Sequence, residues 1–306
     1  MRVIFFGTHC DFSLAPLRIL LEAGHEVCAV VVPARQVLAD QPLAPLSPIA
    51  SPTIPLAATA EDPTIVSLAW EQHIPVYQAG QLAAPELIAA VTQLQADVAC
   101  VACFPKRIPT ALLAAPRLGF LNVHPSLLPA YRGPQPLFWM FRQGDRRFGV
   151  TIHFMDEQWD TGDIVTQARA DLPDGVSGEE ANQVLAQYGG ELLVEVLRAL
   201  PRGVVTRQPQ TGGSYYSVPQ AADFTIEATW SARRAFNFMR GTAEWGHPYP
   251  IDLAAQRFAL RQAHFYAADE VLGAPYQLLD DQIDVQFTPG VLRAQLAHGV
   301  NSALRD

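Results

Sequence analysis

The chain opens on an apolar run, Arg2 to Gly7, that reads as a strand. It passes into Phe12 to Ala23, where apolar positions recur at helical spacing up to Gly24. Glu26 to Pro33 repeats the strand pattern, Ala84 to Leu94 reads as a helix, and 96–103 and 118–124 read as buried strands. This alternation predicts an α/β fold, a Rossmann-like parallel sheet with helices on both faces. After His124 the pattern gives a Pro-rich turn, a short helix from Pro134 to Gln143, and strands over 148–156 and 164–172 around a loop at 157–163. A long helix then runs from Ser177 or Gly178 to Leu200, with Glu179 and Glu180 in the first turn, where the helix dipole favours carboxylates. From about Ser214 the texture changes to one helix, Ser231 to Met239, and short alternating strands, clearest at 258–267 and 282–288. That predicts a small C-terminal β-barrel of OB-like character, and a division of the chain into 1–205 and 206–306.

Composition narrows this picture. Of 306 residues, 49% are hydrophobic and 17% charged, which suits a chain that buries a sizeable core and excludes global disorder. The richest apolar stretch, 12–33, is interrupted by Arg18, Glu22, His25 and Glu26, so no clean membrane span is expected. The N-terminus shows no basic region, long apolar core or cleavage site, and the expected location is the cytoplasm. The net charge of −9 argues against a dominant nucleic-acid surface, although a local basic patch is compatible with it. Residues 34–63 are rich in Pro and Ala with Arg35 as their one cation, and read as a long surface excursion. Gly7-Thr8 follows the first strand without a G-x-G-x-x-G, so the dinucleotide-binding fingerprint is missing. Among four cysteines, Cys100 and Cys103 form a C-x-x-C inside an apolar run. On a strand, residues three apart point to opposite faces, so both are read as buried strand cysteines. With no second pair and no His/Cys/Asp/Glu cluster, no metal is expected.

The chemically informative segments are 121–133, LNVHPSLLPAYRG, and 155–164, MDEQWDTGDI. Asn122 and His124, two apart on a strand, leave the same face at its carboxyl end, where open parallel sheets place their ligands. Pro125 ends the ladder, because it has no N–H to donate. Loops after the next strand can bring a carboxylate to this platform. Taken singly, His124 reads as a structural histidine, Asn122 as a turn former, Asp160 as a loop cap and Ser126 as a bridge across its turn. His153, two positions from Thr151, reads as packed.

Together these residues resemble the folate-dependent formyltransferase family, which includes glycinamide ribonucleotide, methionyl-tRNA and sugar-amine formyltransferases. The family's N-x-H-x-S-L-L-P-x-x-x-G is matched by Asn122, His124, Ser126, Leu127, Leu128, Pro129 and Gly133, and its D-x-G by Asp160, Thr161 and Gly162. The opening 27 residues and 225–241 are similar to methionyl-tRNA formyltransferases. The resemblance implies the formyltransferase fold and an enzyme that moves a formyl group from 10-formyltetrahydrofolate to an amine. Asn122 and a protonated His124 would donate to the formyl oxygen as charge builds there, and Asp160 would hold the imidazole charged and oriented or accept the amine's proton. For the donor the resemblance implies the loop of Phe104, Lys106, Arg107 and Ile108 on one wall, and Asp156, Glu157 and Trp159 on the other. Gly7, Thr8, His9 and Ser126 are the candidates at the acceptor. The acceptor itself stays open. Arg35 is the single cation of 34–63, and 208–225 contains none, which disfavours tRNA and points to a small amine such as a nucleotide-linked amino sugar. Formylation of methionyl-tRNA, hydrolysis of the formyl donor, and folate binding without turnover are the alternatives.

Overall fold

The computed structural model describes residues 1–34, 43–47 and 63–297. The predicted excursion at 34–63 therefore lies largely outside the described residues. In chain order the elements are β1 (Arg2–Phe6), α1 (Asp11–Glu22), β2 (Glu26–Pro33), β3 (Leu43–Pro45), α2 (Ile65–Glu71), β4 (Val76–Ala79), α3 (Pro85–Gln93) and β5 (Val98–Ala102). There follow α4 (Thr110–Leu113), β6 (Phe120–His124), α5 (Pro136–Gln143), β7 (Phe148–Phe154), β8 (Ile164–Ala170) and α6 (Gly178–Ala199). The remainder is α7 (Ala232–Gly241), β9 (Tyr249–Leu253), β10 (Gln256–Ala267), β11 (Tyr276–Leu279), β12 (Gln282–Gln286) and β13 (Val291–Leu296). By compactness the chain forms two units. One comprises Met1–Arg132, Gly149–Ala170 and Asn182–Tyr215, and the other Gly133–Phe148, Asp171–Ala181 and Tyr216–Asp306.

The first unit is built on a sheet of strand order β3-β4-β2-β1-β5-β6-β7-β8. Its centre is parallel as predicted, but β3 joins β4 and β7 joins β6 antiparallel, so the sheet is mixed. The central strands are apolar on both faces, and β5, β6 and β7 are buried throughout. Burying each such Val, Ile or Phe contributes about 1.5–3 kcal/mol, which favours strands of this composition over any half-exposed arrangement.

Packing of α6 fixes the aspect of β6. A Cβ added at Gly189 would stand 2.4 Å from Val123 Cγ1, so only glycine lets this turn of the helix settle on the strand. Glycine in a helix interior costs about 1 kcal/mol relative to alanine, and close helix–strand contact offsets it here. Because side chains alternate, Val123 facing α6 turns Asn122 and His124 to the opposite face.

In the second unit the sheet runs β11-β12-β13-β10-β9, all pairs antiparallel, and curls into a half-barrel. This agrees with the OB-like expectation. Its core is aromatic: Phe138 of α5 meets Phe224, Phe238 and Trp245 with ring centroids 5.1, 5.6 and 5.4 Å away. No helix of the described residues is long and apolar enough to cross a membrane.

Candidate active site

Strand register builds the site. In the antiparallel pair β6–β7, Asn122 lies opposite His153 and His124 opposite Thr151, so all four side chains share one face. Thr151, fully buried, donates its hydroxyl to Ser126 O at 2.6 Å and accepts from Leu128 N at 3.1 Å and Gln167 Nε2 at 2.9 Å. It thereby pins the turn that follows β6 to the sheet. Ser126 is fully buried and donates to Ala130 O at 2.7 Å. Ser126 therefore bridges the turn, the reading its residue type gives when taken singly.

Asp160 arrives from the loop after β7, with φ +56°. Asp tolerates this left-handed conformation better than most residues. Its loop is held from both sides. A Cβ at Gly162 would fall 2.0 Å from Phe154 O, so the chain passes β7 at a distance only glycine permits. Gln210 Nε2 donates to Asp160 O at 2.9 Å and Gly162 O at 2.7 Å, while its Oε1 accepts from Arg132 Nη2 at 2.8 Å and Nε at 3.1 Å.

The three predicted catalytic residues converge with a fourth. Asp160 Oδ1 stands 3.4 Å from Asn122 Nδ2, 3.6 Å from His124 Nδ1 and 3.7 Å from His153 Nε2. His124 Nε2 lies 2.9 Å from Tyr131 O. A carbonyl only accepts, so this nitrogen carries a proton, and Nδ1 is the atom presented to the carboxylate. His153 Nδ1 faces Phe154 O at 2.8 Å, so it is the protonated nitrogen, and Nε2 accepts from Asn122 Nδ2 at 3.1 Å. Burial pushes His153 down to about 4, outweighing the pull of the nearby Asp160 carboxylate. The ring is thus neutral near pH 7 and fixes which end of the Asn122 amide enters the cluster. His153 is packed, as the sequence predicts, and the group it packs against is the Asn122 amide. The signal was present as the T-x-H of β7, but its meaning depends on cross-strand register.

A cavity of about 440 Å³ is lined by Gly80, Leu82, Lys106, Arg107, Ile108 and Glu157 among others. Arg107 donates to Glu157 O, and Thr110 to the Glu157 carboxylate, which ties the two predicted walls together. Lys106 Nζ donates to Ala79 O at 3.2 Å and Gly80 O at 2.8 Å, so its charge organises backbone at the rim. Phe104 is buried and packs edge-on against Phe6 at 5.4 Å, as part of the core. Asp156 accepts from Thr161 Oγ1 at 2.7 Å and from Gln158 N at 3.0 Å, which shapes the loop. Trp159 is 37% exposed next to Asp160. Gly7 is buried, Thr8 N donates to Ser13 Oγ at 3.0 Å, and His9 is exposed. Cys103 departs from its predicted place. It lies beyond the end of β5, exposed, with φ +55°.

The family model for formyl transferases matches residues 1–197. This chain belongs to the formyl transferase family. Its relatives include the methionyl-tRNA formyltransferase of Pelotomaculum thermopropionicum, 34% identical over 80% of this chain and 73% of that one. The methionyl-tRNA formyltransferase of Rhodopseudomonas palustris is 31% identical over 96% of this chain and 90% of its own length. Among solved structures, the N-formyltransferase of Helicobacter canadensis, in complex with folinic acid and dTDP-3-aminofucose, superposes with a TM-score of 0.69 at 14% identity, covering 97% of this chain and all of that one. That last likeness is one of fold. The chain is an enzyme of formyl transfer, as its family is.

Proposed function

We propose that the protein transfers the formyl group of 10-formyltetrahydrofolate to a primary amine, with Asn122, His124 and Asp160 as the reacting side chains. The observation that carries this reading is the meeting of an amide, two imidazoles and a carboxylate around Asp160 Oδ1. The amine nitrogen attacks the formyl carbon, and negative charge develops on the formyl oxygen. Asn122 Nδ2 and protonated Nδ1 of His124 both face the space beside Asp160, where they donate to that oxygen. Asp160 balances the imidazolium and takes the proton shed by the amine, directly or through a water. The donor's pterin and aminobenzoyl portions fit the cavity walled by Lys106, Arg107, Ile108 and Glu157, whose size is ordinary for a small-molecule site. No metal is required for these steps.

Each of two acceptors has one specific observation in its favour. Relatives named methionyl-tRNA formyltransferases match up to 96% of the chain, which supports methionyl-tRNA and counters the disfavour drawn from charge alone. The single cation of 34–63 and the lack of Lys or Arg in 208–225 support a small amine, such as a nucleotide-linked amino sugar. The deciding experiment incubates the enzyme and formyl donor with charged methionyl-tRNA, or separately with a metabolite pool, and searches by mass spectrometry for an added formyl group. Formate release at full rate with no acceptor present, and no formylated product from either arm, would replace transfer by hydrolysis. Donor binding with neither product would leave a folate-binding protein.

A further inference from the structure

Two thiols that the proposed chemistry does not use lie together at the carboxyl ends of adjacent strands. β1 and β5 pair in parallel, with Phe6 opposite Val101, and neighbouring strands of a sheet run about 4.8 Å apart. Cys10 follows β1 as the N-cap residue of the twelve-residue helix α1, and Cys103 is the first residue after β5. Ser13 links the two loops, since its hydroxyl donates to Ala102 O at 2.8 Å and lies 3.5 Å from Cys10 Sγ. Thr8 Oγ1 donates to Cys10 Sγ at 3.2 Å, and Ala102 O, which accepts from Ser13, is the carbonyl immediately before Cys103. The remaining cysteines differ from this pair. Cys28 points to Val3 O at 3.3 Å, and Cys100 is buried in β5.

We infer that Cys10 and Cys103 form a peroxide-reactive dithiol site, in which Cys10 is oxidised first and Cys103 closes a reversible disulfide. The surroundings give each thiol a different role. Hydrogen bonding from Cys103 leads the effects that pull Cys10 down to about 5, with Ser13 and Thr8 adding to it against the cost of burial. The positive end of α1 acts in the same direction. Cys103, as the donor in that contact, is held well above the usual thiol range and keeps its proton. Cys103 is an exposed residue and Cys10 a half-buried one.

The chemistry balances with a hydroperoxide as the single oxidant. The Cys10 thiolate attacks the outer peroxide oxygen, the O–O bond breaks, and the alcohol or water leaves after taking a proton, which gives a Cys10 sulfenic acid. The Cys103 sulfur then attacks the Cys10 sulfur. An S–S bond forms, the S–O bond breaks, and hydroxide departs as water with the Cys103 proton. Two thiols lose two electrons in total, and one hydroperoxide is reduced to an alcohol, or water, plus water.

The test needs no activity assay, so it stands or falls apart from the proposed function. The reduced full-length protein is treated with hydrogen peroxide, its free thiols are counted, and its non-reduced peptides are sequenced by tandem mass spectrometry. The expected result is loss of two of the four thiols, a link between Cys10 and Cys103, and recovery of all four on adding dithiothreitol. In Cys103→Ser, Cys10 sulfenic acid should accumulate and be trapped by dimedone, whereas Cys10→Ser should keep its three thiols. At pH 6, Cys10 should alkylate at least roughly tenfold faster than Cys28. The inference is overturned if the native protein keeps all four thiols at a peroxide dose that oxidises the unfolded chain, if the link joins Cys28 or Cys100, or if Cys10→Ser loses two thiols as the parent does.

Discussion

At the scale of single residues, the site depends on which hydrogen-bond donors are left facing the reacting oxygen. In the proposed reaction Asn122 supplies one from Nδ2, and its amide is oriented by the lone pair of His153 Nε2. Asn122→Ala removes an oxyanion donor, a loss typically worth about 10²–10³ in kcat. The expected result is that drop in steady-state turnover with little change in the donor's KM. His153 acts through Asn122, so it is a positioning residue with a signature in stability. Its folded-state value is lowered to about 4 by burial, whereas an unperturbed imidazole titrates near ~6.5. Between those values the unfolded chain binds the proton and the native protein does not. The stabilisation is therefore full above about pH 6.5, declines as pH falls, and is gone near pH 4, at a rate of up to about 1.4 kcal/mol per pH unit. Urea midpoints measured between pH 7 and 5 should show this slope in the parent and lack His153's share of it in His153→Gln. The convergence of Asn122, His124 and Asp160 was legible because two residues two apart leave one face of a strand and the loop after the next strand can bring a carboxylate to them. His153 was not, because alternation along one strand cannot say whether its inner face meets core or cleft. The packing of Phe104 was not legible for a similar reason, since an aromatic at a loop start has the same pattern whether it lines a cavity or fills the core.

At the scale of elements, two connections hold more than their sequence discloses. Within 208–225, Gln208 pairs with Ile164 by two hydrogen bonds of 2.9 Å, and Gln210 clamps the carbonyls of Asp160 and Gly162. A displacement near 1 Å at a reacting group costs up to about 10²-fold in rate. Gln210→Ala should therefore lower kcat by about tenfold without a matching loss of thermal stability. Gln210→Glu, which turns a carboxylate oxygen toward two carbonyl oxygens, should fall further. Equal rates in parent and both variants would show that the clamp is idle. The hairpin β9–β10 makes the second case. Leu253 pairs with Gln256, so the turn has two residues, Ala254 and Ala255, at φ +46° and +68°. Tight hairpins require this hand of turn, and an L-residue with a Cβ adopts it at a cost of roughly 1–2 kcal/mol. Ala255→Gly should stabilise the protein by about 1 kcal/mol, read as a higher urea midpoint at unchanged slope. The strands β1, β2, β5, β6, β7, β8, β10 and β12 and the long helices α1 and α6 were legible from period, whereas β4 and β9 were missed. This turn was not, since Ala-Ala carries no turn signal and only the pairing of its flanking strands forces the conformation.

At the scale of the whole molecule, the question is how the distribution of charge bears on the acceptor. A net charge of −9, with 21 Lys and Arg of which Lys106 is the one lysine, leaves few fixed cations to hold a polyanion. Several are already engaged: Arg107 on Glu157 O, Arg132 on Gln210, Arg233 on Asp174 and Arg293 on Asp284. Each phosphate neutralised by a protein cation adds a slope of about −0.7 to −0.9 to the dependence of log affinity on log salt. Two such contacts amount to about a tenfold loss between 50 and 200 mM salt. The expected outcome, for whichever acceptor is formylated, is that kcat/KM changes by no more than about tenfold over that range. A nucleotide-linked amine meets this with one or two phosphates, and methionyl-tRNA meets it only if held chiefly at its aminoacylated end. A fall of a thousandfold or more would mean that six or more phosphates are gripped at once. The cations responsible would then have to lie outside 34–63 and 208–225, and arginine-to-alanine variants in the second unit, beginning with Arg146, Arg240 and Arg261, would locate them by reducing the slope by about one unit each.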